Sequence, residues 1–356
     1  MTAHINRIGT AVPEHDVHAA FVAFARTLLR DDRTRAVFDK MVERSGIEHR
    51  FSHFQPGRLE TGEVDTGGFF RRGAFPSTGA RMKLYERWAL DLALRAVAEL
   101  DIGADLARIT HVIVASCTGF SAPGLDLQLT QALGLSPSVQ RSVIGFMGCS
   151  AAVPALRAAD AAVRADPEAR VLVVNLELCS LHMQETSDLE TVLSFLLFGD
   201  GCAATLVTAD ATGLALGDFR SAIIPDSADL ITWHIGDQGF DMRLSGKVPG
   251  RIAQTLREER SRNDEGGLLR GQGVGEVDHW AVHAGGRTVL DAVEIGLGLA
   301  ADALEPSRTI LRRFGNMSSA TVLFVLRRIM DAAPGKGMAM AFGPGMVAET
   351  FRFRVL

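Results

Sequence analysis

Residues 142–159 read S-V-I-G-F-M-G-C-S-A-A-V-P-A-L-R-A-A, and residues 314–326 read F-G-N-M-S-S-A-T-V-L-F-V-L. Each is a glycine turn, one polar side chain, a run of small residues and then an apolar helical pattern. The match extends outward. T-H-V-I-V-A-S-C-T-G (110–119), a β-branched strand running into a glycine turn, has its counterpart in D-H-W-A-V-H-A-G-G (278–286). R-V-L-V-V-N (170–175) corresponds to G-M-A-M-A-F (337–342), and F-G-D-G-C-A-A-T-L-V (198–207) to F-G-P-G-M-V-A-E-T-F (342–351). Cys149 precedes Val171 by 22 positions, and Asn316 precedes Met338 by the same 22. A repeat of this length is a duplicated βα unit rather than a solenoid of short repeats. Strands alternate with helical stretches such as A-L-D-L-A-L-R-A-V-A-E-L (89–100), so an α/β sheet with helix layers is expected.

The expected organisation is an N-terminal half, 1–209, and a C-terminal half, 210–356, with the break where T-A-D-A-T-G-L interrupts the strand pattern. The first half carries an insertion, roughly 176–197, of the kind that builds a cavity wall or a partner interface. Residues 55–80 and 256–275, Gly-rich or charged, read as surface loops. The G-Q-G-V-G run in the latter precedes a strand instead of following one, so it reads as loop and not as a phosphate cradle.

The chain has 356 residues, 47% hydrophobic and 22% charged, with a net charge of −5. No Lys/Arg block stands out, which argues against nucleic acid or an anionic membrane surface as partner. No uncharged apolar run reaches membrane-spanning length, and the N-terminus lacks the pattern of a signal peptide, so a cytoplasmic protein without stable membrane insertion is expected. The cysteines Cys117, Cys149, Cys179 and Cys202 form no C-x-x-C pair, so neither a disulfide framework nor a metal site is expected.

Three polar side chains stand beside small residues: Cys149, His283 and Asn316. A thiol at a helix start feels the positive end of the macrodipole, which favours thiolate. His283 ends a strand before Ala-Gly-Gly, where backbone can approach a ligand closely. His279 lies on the same strand face but too far away for shared metal binding. Singly, each has an ordinary reading: a structural core cysteine, a satisfied core histidine, a helix N-cap. The duplication favours a joint reading, because Asn316 occupies in the second half the position of Cys149 in the first. A thiol, an imidazole and a carboxamide converging at paired helix starts suit decarboxylating thioester chemistry.

With these residues in register, the chain resembles the type III polyketide synthases (chalcone synthase superfamily) of the thiolase-fold condensing enzymes. The resemblance spans nearly the whole chain and includes G-L-D-L-Q-L-T-Q-A-L-G-L (124–135), L-F-G-D-G (197–201), G-N-M-S-S-A (315–320) and F-G-P-G (342–345). E-L-C-S-L-H-M-Q (177–184) and T-W-H-I-G-D-Q-G-F-D-M (232–242) are most similar to bacterial alkylresorcinol and alkylpyrone synthases.

The resemblance implies an αβαβα layered thiolase-like fold, a homodimer, and no cofactor beyond CoA thioesters as substrates. It implies Cys149 as the acyl-carrying nucleophile, with His283 and Asn316 binding the thioester carbonyl of malonyl-CoA. It makes Phe198 a gatekeeper and matches Lys40 and Arg44 to positions that contact CoA phosphates, although their i, i+4 spacing equally suits a solvated basic helix face. Ser318, Cys117, Cys179, Trp233 and Met242 fall at substrate-binding positions. Met242 stands where plant relatives have a second phenylalanine, Trp233 where they have glycine and Cys117 where they have threonine. H-A-G-G replaces H-P-G-G, and A-F-G-P-G replaces G-F-G-P-G. The expected starter is therefore a fatty acyl-CoA rather than an aromatic one, and the product an alkylpyrone or alkylresorcinol. A ketoacyl-ACP synthase III-like enzyme would use the same triad types, but with a polar H-Q-A-N-like run in place of H-A-G-G. A non-catalytic thiolase-fold binding protein would be expected to have lost a member of the triad.

Overall fold

The computed structural model describes residues 1–58, 63–262 and 264–356. Its first half runs β1 (His4–Ala11), β2 (His15–Asp16), α1 (His18–Leu28), α2 (Asp32–Ser45), β3 (Phe51–Ser52), α3 (Thr78–Ala98), β4 (His111–Ser116), α4 (Leu125–Ala132), β5 (Gln140–Gly145), α5 (Ala152–Ala165), β6 (Val171–Leu178), α6 (Leu189–Leu197) and β7 (Asp200–Thr208). The second half runs β8 (Leu214–Ile223), β9 (Ile231–Gly236), β10 (Gly239–Leu244), α7 (Val248–Arg260), β11 (His279–Val282), α8 (Arg287–Leu297), α9 (Glu305–Phe314), α10 (Thr321–Ile329), β12 (Gly335–Gly343) and β13 (Val347–Val355).

The large sheet has the order β11-β12-β13-β8-β1-β7-β6-β4-β5. The duplication is written in that order, since β8, β13, β12 and β11 repeat the arrangement of β1, β7, β6 and β4. The two half-sheets join between β1 and β8, through His4↔Ala215 and Ile5↔Leu214. β5 has no strand counterpart, because the equivalent stretch of the second half lies in α9.

The inner strands β6 and β7 are buried on both faces along their whole length. Along β6, Val171 and Val173 face a central core with Leu156 and Val163 of α5 and Leu323 and Leu326 of α10. Leu172, Val174 and Leu176 of the same strand face an outer core with Leu92 and Ala96 of α3. In the second half, Trp280 and Met338 face the other outer core with Leu256 of α7 and Val293 of α8. This period-2 partition sets helices α5 and α10 between the two half-sheets and the other helices outside, the αβαβα layering expected from the sequence. Each fully buried leucine in these layers contributes roughly 1.5–3 kcal/mol.

Several boundaries differ from expectation. The charged stretch from 256 is still helix to Arg260, because Ile252 and Leu256 bury one face of α7 while the Arg and Glu residues form its solvated side. Residue 263 of that expected loop lies outside the described residues. The expected surface loop at 55–80 ends at Thr78, where α3 begins with Ser77 as its N-cap. Phe70 and Phe75 of that stretch are buried with Phe24 of α1, so it is packed down by its aromatic residues. Residues 59–62 lie outside the described residues. The insertion begins at Cys179, since β6 continues to Leu178, and it contributes α6.

Candidate active site

Cys149 lies in a 3₁₀ turn, Gly148–Ser150, and the helix proper begins at Ala152. The thiol therefore stands one turn before the helix start expected for it. Gly148 has φ +62° and a Cβ there would lie 2.4 Å from Pro344 Cδ, so this turn requires glycine. The counterpart Gly315, before Asn316, has φ +67°. The second turn, Ser318–Ala320, leads into α10 as the first leads into α5.

Asn316 is not the N-cap of the helix that follows, which begins after Ala320 without a side-chain cap. Its Oδ1 accepts from Ser318 N (2.8 Å), a local turn two residues on. Its Nδ2 donates to Gly285 O (3.2 Å) and lies 4.0 Å from Cys149 Sγ. A backbone donor on one side and a backbone acceptor on the other fix which end of the amide is which. The carboxamide N–H thus faces the thiol.

His283 follows the last residue of β11, and its backbone N donates to Met340 O (2.8 Å). Its ring is buried, and among the described residues neither ring nitrogen has a hydrogen-bond partner. Burial pulls its pKa down to about 3. Burial also pushes the Cys149 thiol up to about 11, against the hydroxyl of Ser318 and the amide of Asn316. The expected lowering of the thiol pKa by the helix is thus outweighed in the resting site, because the sulfur is desolvated. Burial thus opposes charge on each group alone, and a thiolate here calls for a compensating positive charge.

Cys149, His283 and Asn316 line one cavity of about 580 Å³, together with Trp233 and Met242. Trp233 and Met242 are cross-strand partners in the β9–β10 hairpin, which puts them on one face. Phe198 packs edge-on to Trp233 with ring centroids 6.4 Å apart, in a small cluster with Cys179, Met242 and Cys149. Its backbone forms a bridge with Asn316.

Other expected positions lie elsewhere. Cys117 does not line this cavity. It sits behind the nucleophile turn, where its Sγ accepts from Gly148 N (3.1 Å). Cys179 lines a second, narrower apolar cavity with Phe198, Phe24 and Phe70. Ser318 is buried with φ +47°, and its hydroxyl lies beside the Cys149 thiol. Lys40 and Arg44 are exposed on α2, and of that helix Met41 lines the cavity.

The sequence offered no acidic candidate, yet Glu177 is fully buried near the thiol. Its carboxylate accepts from Ser319 Oγ (2.5 Å), Thr118 Oγ1 (2.9 Å) and Cys117 N (3.0 Å). Burial raises its pKa to about 7 despite these donors. The available signal was the one charged residue in the mostly apolar run V-L-V-V-N-L-E-L, since a charge on a doubly buried strand needs a reason. His182 was also missed. Its ring stacks on Phe240 at 4.1 Å and its Nδ1 accepts from Phe240 N, so it helps hold the hairpin that carries Trp233. Among the described residues no cluster of His, Cys, Asp and Glu could hold a metal ion, and no helix is long and apolar enough to cross a membrane.

Comparison with known proteins agrees with this arrangement. The family model for the N-terminal domain of chalcone and stilbene synthases matches residues 2–211, and that for their C-terminal domain matches residues 218–356. The chain is 35% identical over 284 residues to the alpha-pyrone synthesis polyketide synthase-like Pks18 of Mycobacterium tuberculosis, covering 75% of this chain and 70% of that protein. It is 35% identical to bisdemethoxycurcumin synthase of Oryza sativa subsp. japonica, covering 98% of this chain and 91% of that protein. The crystal structure of PKS-I from the brown alga Ectocarpus siliculosus superimposes with a TM-score of 0.87 at 29% identity, covering 100% of this chain and 98% of that one. The type III polyketide synthase domain of Steely1 from Dictyostelium shares the fold, with a TM-score of 0.90 at 22% identity and full coverage of both chains. With both halves matched and the thiolase-like layering in place, the chain belongs to the chalcone and stilbene synthase family, the type III polyketide synthases, and is an acyltransferase of the decarboxylating, condensing kind.

Proposed function

We propose that this enzyme loads a medium- or long-chain fatty acyl-CoA on Cys149, extends it with malonyl-CoA and closes the product to an alkylpyrone or alkylresorcinol. The observation that carries the reading is the single cavity shared by Cys149, His283 and Asn316, whose walls include Leu189, Leu193, Leu197, Ile231, Leu244 and Ile252. Such walls stabilise an alkyl chain by roughly 0.8 kcal/mol per buried CH₂. The 35% identity to a relative named for alpha-pyrone synthesis supports the pyrone branch.

In this reading Cys149 passes its proton to His283. The resulting charge pair compensates the desolvation that keeps each group neutral alone. The thiolate attacks the acyl-CoA carbonyl and CoA leaves as its thiol, taking a proton from the imidazolium. Malonyl-CoA then binds with its thioester oxygen toward the ring N–H of His283 and the Nδ2 of Asn316. Loss of CO₂ leaves an enolate whose charge those donors hold. The enolate carbon attacks the Cys149 thioester, a carbon–carbon bond forms, and the cysteine sulfur leaves.

Acyl-CoAs of graded length, offered with labelled malonyl-CoA and read by product mass, test the starter. Turnover only with aromatic or malonyl starters would refute it. Trp233, cross-strand to Met242, limits the room. Trp233→Gly is therefore expected to move the preferred chain length upward by several carbons, and an unchanged length profile would remove Trp233 from the cavity wall.

We also infer that two copies associate along the β5 edge. Val143 on that strand is 52% exposed, with Phe120 at 40% and Met147 at 39% beside it, an apolar strip on an unpaired strand edge. Sedimentation is expected to give a dimer, and Val143→Glu a monomer. A monomeric wild type would end this inference.

A further inference from the structure

Arg50 is an internal cation outside the triad. It precedes β3 and is 2% exposed. Its Nη1 donates to both Phe195 O (2.8 Å) and Phe198 O (2.6 Å). Its Nε donates to His18 Nδ1 (3.0 Å), and the guanidinium lies 4.6 Å from the Phe21 ring centroid. Among the described residues no carboxylate forms an ion pair with it. Burial lowers its pKa only to about 9, so it stays charged at neutral pH, while burial takes His18 down to about 4 and leaves that ring a neutral acceptor. The charge is answered by the carbonyl end of α6, where the helix dipole is negative and the last carbonyls lack helical partners.

Those carbonyls belong to the gate. On the other side of the same backbone, Leu197 O accepts from Asn316 N (2.8 Å), and Gly199 N donates to Asn316 O (3.0 Å). The stem of Arg50 lies against both glycines that flank this bridge. A Cβ on Gly315 would come within 2.7 Å of Arg50 Cγ, and one on Gly199 within 3.4 Å of Arg50 Cβ. One side chain therefore holds the carbonyl of Phe198 and packs on the residue that delivers Asn316.

We propose that Arg50 is a positioning residue, which fixes the register between the Phe198 backbone and Asn316 so that the carboxamide faces the thiol while the Phe198 ring packs on Trp233. It touches no reacting atom and acts through the 197–199 backbone. The kinetic part of the inference rests on Asn316 acting as the enolate donor, while the structural part does not.

Arg50→Lys keeps the charge but cannot reach two carbonyls and an imidazole with one fork. The expected result is a fall of about tenfold or more in kcat for malonyl-CoA decarboxylation, with KM within about threefold, as for an ångström-scale displacement of a donor. Amide exchange at Gly199, whose N–H bonds to Asn316, is expected to quicken by about tenfold. Phe21→Leu removes the ring beneath the guanidinium without touching its bonds to the gate, and should leave both readouts unchanged at a similar Tm loss. If Arg50→Met folds, it should exceed Arg50→Lys in both.

Wild-type kcat and unaltered Gly199 exchange in Arg50→Lys would overturn the proposal. So would equal losses in Phe21→Leu. A wild type that fails to decarboxylate malonyl-CoA refutes the functional reading instead, and the exchange measurement then decides the positioning role by itself.

Discussion

Cys149→Ala is expected to abolish acyl loading and polyketide formation, by about 10⁴-fold or more, while malonyl-CoA decarboxylation stays within about tenfold of wild type. The split follows from the division of labour in the cavity. The sulfur is the group the starter must be bonded to, and no neighbouring thiol can replace it. Cys117 is held behind the turn as the acceptor for Gly148 N, and its thiol is pushed further up by burial. Cys179 likewise has its thiol raised by burial. Decarboxylation needs instead a donor pair for the developing enolate, and Asn316 keeps its orientation without the sulfur because Ser318 N and Gly285 O hold both ends of its amide. Mass spectrometry of the protein after acyl-CoA treatment, beside release of labelled CO₂ from malonyl-CoA, reads both halves. Wild-type polyketide from the alanine variant would refute the nucleophile assignment, and loss of decarboxylation in step with loading would refute the split.

Asn316→Ala should lower decarboxylation by roughly 10²–10³-fold, the usual cost of one oxyanion donor, or about 3–4 kcal/mol. His283→Phe should do that and more, because in the proposed mechanism His283 also takes the proton of Cys149. With the thiol pushed up to about 11 by burial, its thiolate fraction at pH 7 without a proton acceptor is about 10⁻⁴. Iodoacetamide labelling of the variant should therefore be slow at neutral pH and climb about tenfold per pH unit toward pH 10, since a raised thiol pKa releases thiolate only as pH rises. Wild type should label fast at pH 7 and show a plateau, because proton transfer within the pair needs no hydroxide. The His283 pKa of about 3, lowered by burial, describes the ring facing a neutral thiol and does not oppose this, as the imidazolium forms only together with the thiolate. Indistinguishable labelling profiles in the two proteins would exclude His283 as the proton acceptor.

Much of this site was legible in the chain because it is local and repeated. The glycine that needs a left-handed φ, the polar residue after it and the small residues that follow are adjacent in sequence, and they occur twice. The segment that bridges to Asn316 was legible in the same way, since Phe198 belongs to a motif with its own counterpart in the second half. Boundaries were less so. Charge from 256 onward suggested a loop, but a helix with one buried face is charged on the other, and two buried apolar residues outweighed the composition. Arg50 escaped because a single ionisable residue outside an apolar run shows nothing of what surrounds it, whereas Glu177 stood out only as a carboxylate on a buried strand.

The sequence alone determined the duplicated βα architecture, the equivalence of Cys149 and Asn316, and the thioester chemistry those residue types suit, since period, spacing and glycine placement are properties of the chain itself. Tertiary structure alone decided that both halves open into one cavity and that burial there opposes charge on Cys149 and His283 taken singly. It alone brought Glu177 near the thiol and set Arg50 beneath the gate. Those outcomes depend on desolvation and on contacts across as many as 265 positions, from Arg50 to Gly315, and free energies of that kind are set by what surrounds a side chain in space rather than by what precedes it in sequence.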